Sequence, residues 1–68
     1  MKLTITIECD NAAFGESDGE HTPESVGAEV GRILRGLGRK LEGGIEAGDS
    51  GHLRDCNGNQ VGDWEVSA

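Results

Sequence analysis

One block of this chain carries the period of a helix, and segments with the period of a strand flank it on both sides. Residues 22–44, "TPESVGAEVGRILRGLGRKLEGG", place Val26, Val30, Ile33, Leu34, Leu37 and Leu41 at i, i+4, i+7, i+8, i+11 and i+15. That spacing makes one apolar stripe, which has to be buried against something. Thr22 suits an N-cap, Pro23 the first helical position, and Glu24 the positive helix end. Gly43-Gly44 stops the helix, with Arg39 and Lys40 near its negative end. A helix is predicted over about residues 22–42, and only a sheet is available to cover it.

The sheet is written in alternation. In "KLTITIECD" (residues 2–10), Leu3, Ile5, Ile7 and Cys9 face one side while Lys2, Thr4, Thr6, Glu8 and Asp10 face the other. That reads as a half-buried strand. Residues 11–21, "NAAFGESDGEH", form a polar acidic loop with room for a helical turn from Asn11 to Phe14. Further on, Leu53 precedes Asn57-Gly58 and Val61, Trp64 and Val66 follow it. Asn-Gly in that setting signals a two-residue hairpin in which both central residues take positive φ. Its register pairs Leu53 with Gly62 and puts Leu53, Gly62, Trp64 and Val66 on one face. Gly62 then leaves room for a neighbouring side chain such as Trp64.

The expected fold is α+β, a single domain over residues 1–68. It is β-α-β-β: a three-stranded antiparallel sheet in order 1-3-2 with the helix on one face and the hairpin over about 51–66. The expected core is Leu3, Ile5, Ile7, Val26, Val30, Ile33, Leu34, Leu37, Leu41, Leu53, Trp64 and Val66. Gly27, Gly31 and Gly38 fall together beside the helix stripe. A bare flank lets a helix settle close to a sheet, and it also suits close helix–helix contact. The first is the expectation, because the G-x-x-x-G pairing is specific mainly in membranes.

A chain of 68 residues buries only about 60% of its unfolded surface, which leaves no core deep enough for an enclosed substrate pocket. Two cysteines are too few for a disulfide scaffold and fit a reducing compartment. No apolar run approaches the ~20 residues that span a bilayer. Met1 leads straight into a strand pattern, with no signal peptide expected. These features point to a soluble, cytoplasmic, monomeric protein without membrane association.

Candidate sites for metals and catalysis fail on spacing. Asp55, Asn57 and Asn59 alternate like the first ligands of a calcium loop. Counted from Asp55, however, Gln60 stands where that loop needs Gly and Val66 where it needs a bidentate Glu. Cys9, His21, His52 and Cys56 lack the paired short spacings of zinc modules. Four residues along a strand would separate His52 from Cys56 by about 13 Å. Cys9 points toward the expected core, and Cys56 has no basic neighbour except Arg54, so neither has the base a nucleophile needs. "RGLGRKLEGG" contains no G-K-[ST] and follows no strand. The reading is non-enzymatic, with no cofactor and no metal.

Charge is what remains. Thirteen acids against six bases give a net charge of −7, which argues against direct nucleic-acid binding, since phosphate recognition needs Lys and Arg. From Glu8 to Glu29 there are seven acids and no Lys or Arg. The bases Arg32, Arg35, Arg39 and Lys40 fit a solvated helix face, with Glu29–Arg32 and Arg39–Glu42 at i, i+3. Glu8 and Asp10 share the outer sheet face with Asp63 and Glu65, beside a loop carrying Glu16, Asp18 and Glu20. These seven acids are the candidate partner-binding residues. Carboxylates repeated every ~6.6 Å along a strand can occupy a basic groove built for the regular charges of DNA or RNA.

"MKLTITIECDNAAF" at residues 1–14, the single Arg-rich helix and "LRDCNGNQVGDWEV" at residues 53–66 also carry a resemblance. The chain resembles small acidic phage and prophage proteins with this opening and close, over most of its length. Small acidic phage proteins of this size include anti-CRISPR proteins, some of which resemble DNA in charge and block DNA loading by a CRISPR surveillance complex. The resemblance brings no catalytic or ligand motif. It implies inhibition by binding a basic host complex in the host cytoplasm. The alternative is a phage structural or accessory module that uses the glycine flank of the helix.

Overall fold

The computed structural model describes all 68 residues. Strand β1 spans Lys2–Ile7, helix α1 Pro23–Leu41, strand β2 Ser50–Arg54 and strand β3 Gln60–Ser67. A 3-10 turn, Ala12–Phe14, lies between β1 and α1. The three strands form one antiparallel sheet in the order β1-β3-β2, with α1 packed against it. The fold is therefore the α+β arrangement expected from the alternating and helical periods.

The helix start is a reciprocal cap. The Ser25 amide donates to Thr22 Oγ1 and the Thr22 amide donates to Ser25 Oγ, each at 3.0 Å. Two otherwise orphaned amides are satisfied in this way, and Pro23 at the first helical position has none to lose. The same Ser25 hydroxyl donates to the Phe14 carbonyl at 2.8 Å, pinning the 3-10 turn against the helix start. Asn11 caps that turn, its Oδ1 accepting from the Ala13 amide at 3.0 Å. Beyond α1 the chain turns on Gly44, at φ 116°.

The hairpin keeps the expected pairing of Leu53 with Gly62 but reaches it differently. Asn57 does not take positive φ; among residues 55–59 only Gly58 does, at 84°. The Asp55 amide donates to the Asn59 carbonyl and the Gly58 amide to the Asp55 carbonyl, which closes a three-residue loop over Cys56, Asn57 and Gly58. That loop pairs Arg54 with Gln60, and the next pair is Leu53 with Gly62. Val61 is the extra residue, a bulge. The longer loop and the bulge cancel in register, and the bulge lets Val61 join the core at 6% exposure.

Gly62 cannot carry a side chain, because a Cβ there would collide with the Thr6 carbonyl of β1. The expected neighbour, Trp64, instead lies over Gly51, where an added Cβ would meet its ring nitrogen. Strand β1 stops at Ile7, short of the expected Asp10; past Glu8, whose amide still donates to the Val61 carbonyl, the chain leaves the bulged partner.

The core differs from expectation in a consistent way. Buried are Phe14, Ile33, Leu37, Leu53, Val61, Trp64 and Val66, with Ile7, Cys9, Ala13, Val26, Val30 and Leu41 partly buried against them. Leu3, Ile5 and Leu34, expected inside, are 38–40% exposed. The cause is where the helix lies. Its main contacts are with the 3-10 turn and β2, and Arg32, Gly36 and Lys40 line a groove with His52, Leu53 and Arg54 of β2. The opposite flank carries Leu34, Gly31 and Gly38, and Leu34 is left exposed there. The glycines do not seat the helix on the sheet: a Cβ at Gly27 or Gly38 would meet nothing within 4 Å, and one at Gly31 only the Arg35 side chain.

Phe14, fully buried, and Trp64 therefore carry much of a thin core. Truncation of either, Phe14→Ala or Trp64→Ala, should cost about 3–5 kcal/mol, comparable with the whole stability of a domain this small. Loss of helical circular dichroism and of a cooperative melt in both variants is the expected outcome. A Phe14→Ala protein that melts like the parent would show that the 3-10 turn is not part of the core.

Candidate functional site: an anionic sheet face

The outer sheet face is built in rows by the strand register. Asp63 of β3 lies between Thr6 of β1 and His52 of β2, and Glu65 lies between Thr4 and Ser50. All six side chains are exposed. The carboxylates thus project from the central strand with small polar side chains or an imidazole on either side. Asp63 and Glu65 are separated by about 6.6 Å along the strand. Glu8 continues the row of Thr6, on the diagonal to Asp63 that spans about 7–8 Å. Glu8, Asp10 and Asp63 line one open concavity with Thr6, Asn11 and Gln60.

Four of the seven candidate acids are thereby placed on one side of the sheet. The loop acids belong elsewhere. Glu16 lines a shallow surface by the helix with Glu29, Arg32 and Arg35, its Oε1 accepting from the Thr22 hydroxyl at 3.1 Å. Asp18 Oδ1 accepts from the Glu20 amide at 3.0 Å, a local turn bond. Glu16, Asp18 and Glu20 are exposed but do not line the concavity of Glu8, Asp10 and Asp63.

Two acids are buried: Glu29, expected with Arg32 on a solvated helix face, and Asp55, expected only in a turn. Arg32 grips Glu29 with two bonds, Nε to Oε1 and Nη2 to Oε2, both 2.9 Å. The Cys56 amide donates to Glu29 Oε2 at 2.8 Å, and Arg32 Nη2 reaches the Arg54 carbonyl at 3.3 Å. This is the molecule's one salt bridge; Arg39 and Glu42 do not form the other expected pair. The Arg32 bonds chiefly hold the Glu29 carboxyl below its ordinary pKa, against the opposing effect of burial and with help from the Cys56 amide.

Asp55 is the centre of the hairpin. Oδ1 accepts from the amides of Asn57 at 2.8 Å and Asn59 at 2.9 Å, and Oδ2 accepts from Asn11 Nδ2 at 2.7 Å. Burial alone would raise this carboxyl, but the Asn59, Asn11 and Asn57 bonds outweigh it and the pKa is lowered. Both oxygens are turned to N–H donors inside a turn. The alternating Asp-Asn-Asn letters are thus the signature of an Asx-stabilised loop. No three His, Cys, Asp or Glu side chains are arranged to hold a metal ion, and no helix is long and apolar enough to cross a membrane.

Charge is partly segregated. Glu8, Asp10, Asp63 and Glu65 lie on one side of the sheet, while Arg32, Lys40 and Arg54 line the groove between α1 and β2. No protein-family model matches the chain, and no curated protein or solved structure proved similar to it.

The Asp55 geometry has a pH consequence. Because its folded pKa is lowered, its stabilisation is complete above the unfolded carboxylate value of about 4 and is lost as pH falls through the folded value. In Asp55→Asn a donor faces Asn11 Nδ2, so the variant should melt below the parent at pH 7. That gap should narrow as pH falls below about 4, as the parent progressively loses the same charged acceptor. Adding Asn11→Asp should recover part of the loss, since a carboxylate at position 11 would accept from the new amide and still cap Ala13. A gap that is constant from pH 7 to 2 would contradict this account.

Proposed function

We propose that the protein is a non-enzymatic acidic inhibitor that occupies a basic, nucleic-acid-binding groove of a host complex, with a CRISPR effector complex as the favoured target. The observation that carries the reading is the anionic sheet face. Asp63 and Glu65 project from the outer sheet face, Glu8 and Asp10 line a concavity with Asp63 just past the end of β1, and none of the four is neutralised by a salt bridge. Carboxylates held on a strand keep their spacing without the entropy cost that a flexible acidic tail would meet on binding. Their intervals of about 6.6–8 Å offer a basic groove a regular row of charge, as a phosphate backbone does. The resemblance to small acidic phage proteins points the same way.

Glu16, Asp18 and Glu20 then act at longer range, raising the negative potential that steers the chain to a basic partner. The partner is a protein surface; the chain itself repels nucleic acid.

A second reading has its own observation. Gly27 and Gly38 face open space on the helix, so α1 presents a bare flank that an accessory partner could approach closely.

The test is DNA loading by a purified CRISPR surveillance complex, with inhibition measured against salt. Inhibition should weaken as salt rises and the Debye length falls to about 3 Å at 1 M, and it should compete with DNA. The triple variant Asp10→Lys, Asp63→Lys, Glu65→Lys should lose inhibition at least tenfold while keeping its melt. Arg35→Glu with Arg39→Glu should retain it. Arg32 is left alone because it holds Glu29, and Glu8 because it flanks the edge strand. Loss of inhibition in the helix variant alone would move the interface to α1.

A further inference from the structure

Strand β1 is an edge with nothing beyond it, and its two faces and its free backbone groups are all in view. The bond from the Glu8 amide to the Val61 carbonyl, with the register Ile7↔Gly62 and Thr6↔Asp63, fixes which groups are used. Antiparallel pairs alternate between bonded and non-bonded positions, so the even residues of β1 bond to β3. The N–H and C=O groups of Leu3, Ile5 and Ile7 therefore point out of the sheet edge, and only the Ile7 carbonyl has another partner there, a weak bond from the Cys9 thiol at 3.7 Å. The strand lacks the usual protections of an edge: it has no proline, no bulge and no charge on its apolar face.

The apolar face of the same strand is uncovered. Leu3 and Ile5 are each 38% exposed, Met1 76%, and Leu34 on the facing helix flank 40%. The molecule is correspondingly long, with extents of 42 × 20 × 17 Å and a radius of gyration of 13.1 Å, against about 11 Å for a compact domain of this size.

We propose that the protein forms a two-fold homodimer in which β1 pairs antiparallel with β1 of a second copy, centred on Ile5. That register sets Ile5 opposite Ile5 and Leu3 opposite Ile7, all with outward-pointing backbone groups, so about six main-chain hydrogen bonds form. The alternation is preserved, and the bare apolar faces of the two strands become one. On the other face Thr4 meets Thr6, and Lys2 of each copy lies directly opposite Glu8 of the other. A parallel pairing would have no such symmetry and would leave both charges unmatched. Moving the centre to Thr4 would set Lys2 against Thr6 and strand Glu8. The self-complementary charge pattern selects one register, and cross-strand apolar pairs of this kind add to the backbone bonds. The result is a six-stranded sheet whose helices lie toward its two outer ends. Of the acidic face in the inhibitor reading the dimer uses only Glu8; Asp10, Asp63 and Glu65 are outside the new pairing, so the inhibition test at those three and the dimer test at Lys2 and Ile5 can fail separately.

Sedimentation equilibrium from micromolar to millimolar protein tests it at physiological salt, where a Debye length of about 8 Å limits the general repulsion between two acidic chains. The parent should approach twice 7.1 kDa. Lys2→Glu turns two attractions into two repulsions and should weaken the dimer about tenfold, and Lys2→Glu with Glu8→Lys should restore it. Ile5→Pro removes an edge donor that the β1–β3 ladder does not use, and a proline is tolerated on such an edge. This variant should keep its helical circular dichroism and become monomeric. A parent that is monomeric at millimolar concentration overturns the proposal, as does a dimer indifferent to the charge exchange. A dimer that survives Ile5→Pro but dissociates on Gly31→Leu also overturns it, because the interface would then be the helix flank.

Discussion

The buried carboxylate of Asp55 ties together segments that no apolar contact could hold. It accepts from Asn11 ahead of the helix and from Asn57 and Asn59 inside the hairpin. Next to it, Glu29 on the helix accepts from the Cys56 amide in the same hairpin loop. Three pieces of chain, distant in sequence, therefore converge on two acids at one end of the molecule. Buried charges survive only when hydrogen-bonded or paired, and here every buried side-chain polar atom has a partner. Such a knot is directional in a way that a hydrophobic contact is not. It fixes where the 3-10 turn sits, and so where Phe14 enters the core.

That placement pulls the helix to one side. With the helix start bonded to Phe14 and its middle held to the hairpin through Glu29 and Arg32, α1 meets the sheet at β2. Leu3 and Ile5 of β1 are left exposed. The thinness of the core is thus a consequence of the polar anchoring: a helix centred on the sheet would bury Leu3 and Ile5 but would lose the bonds to the hairpin loop. The same offset separates the charges, since Arg32 and Lys40 come to the β2 groove while the acids of β3 keep the outer face.

The fold was legible because the two periods, 3.6 and 2, are cleanly written and few topologies accommodate one helix and three strands. The strand order, the register of Leu53 with Gly62 and the Thr22 cap could all be read from residue types. The turn could not. Asn-Gly favours a two-residue loop locally, but Asp55 rewards an Asx loop that needs only Gly58 at positive φ, and the bulge at Val61 absorbs the extra residue. Phe14 was hidden because it is a lone aromatic in a polar loop, with no periodic neighbour to mark it. The one available signal was Asn11, a good cap two residues before the turn's middle. Periodicity could say that Leu3, Ile5 and Leu34 were apolar and shared a face. It could not say that the helix would be held away from two of them and turned past the third.

Of the candidate site, the alternation of β1 and β3 made Glu8, Asp10, Asp63 and Glu65 readable as one face, because a period of two decides which side a strand residue takes. The loop acids had no period, and only the folded turn separates Glu16, Asp18 and Glu20 from the sheet. This difference bears on what such a chain can do. Mutual repulsion among thirteen acids destabilises a compact state, and a core of this size has little stability to spare. The chain nonetheless sets Asp63 and Glu65 on the central strand and gives a counter-charge only to the buried Glu29. Charge held at fixed spacing on a central strand binds with little ordering left to do, whereas the same charge in a loop contributes mainly to attraction at a distance. In the inhibitor reading proposed above, contact would therefore belong to the sheet acids and steering to the loop acids.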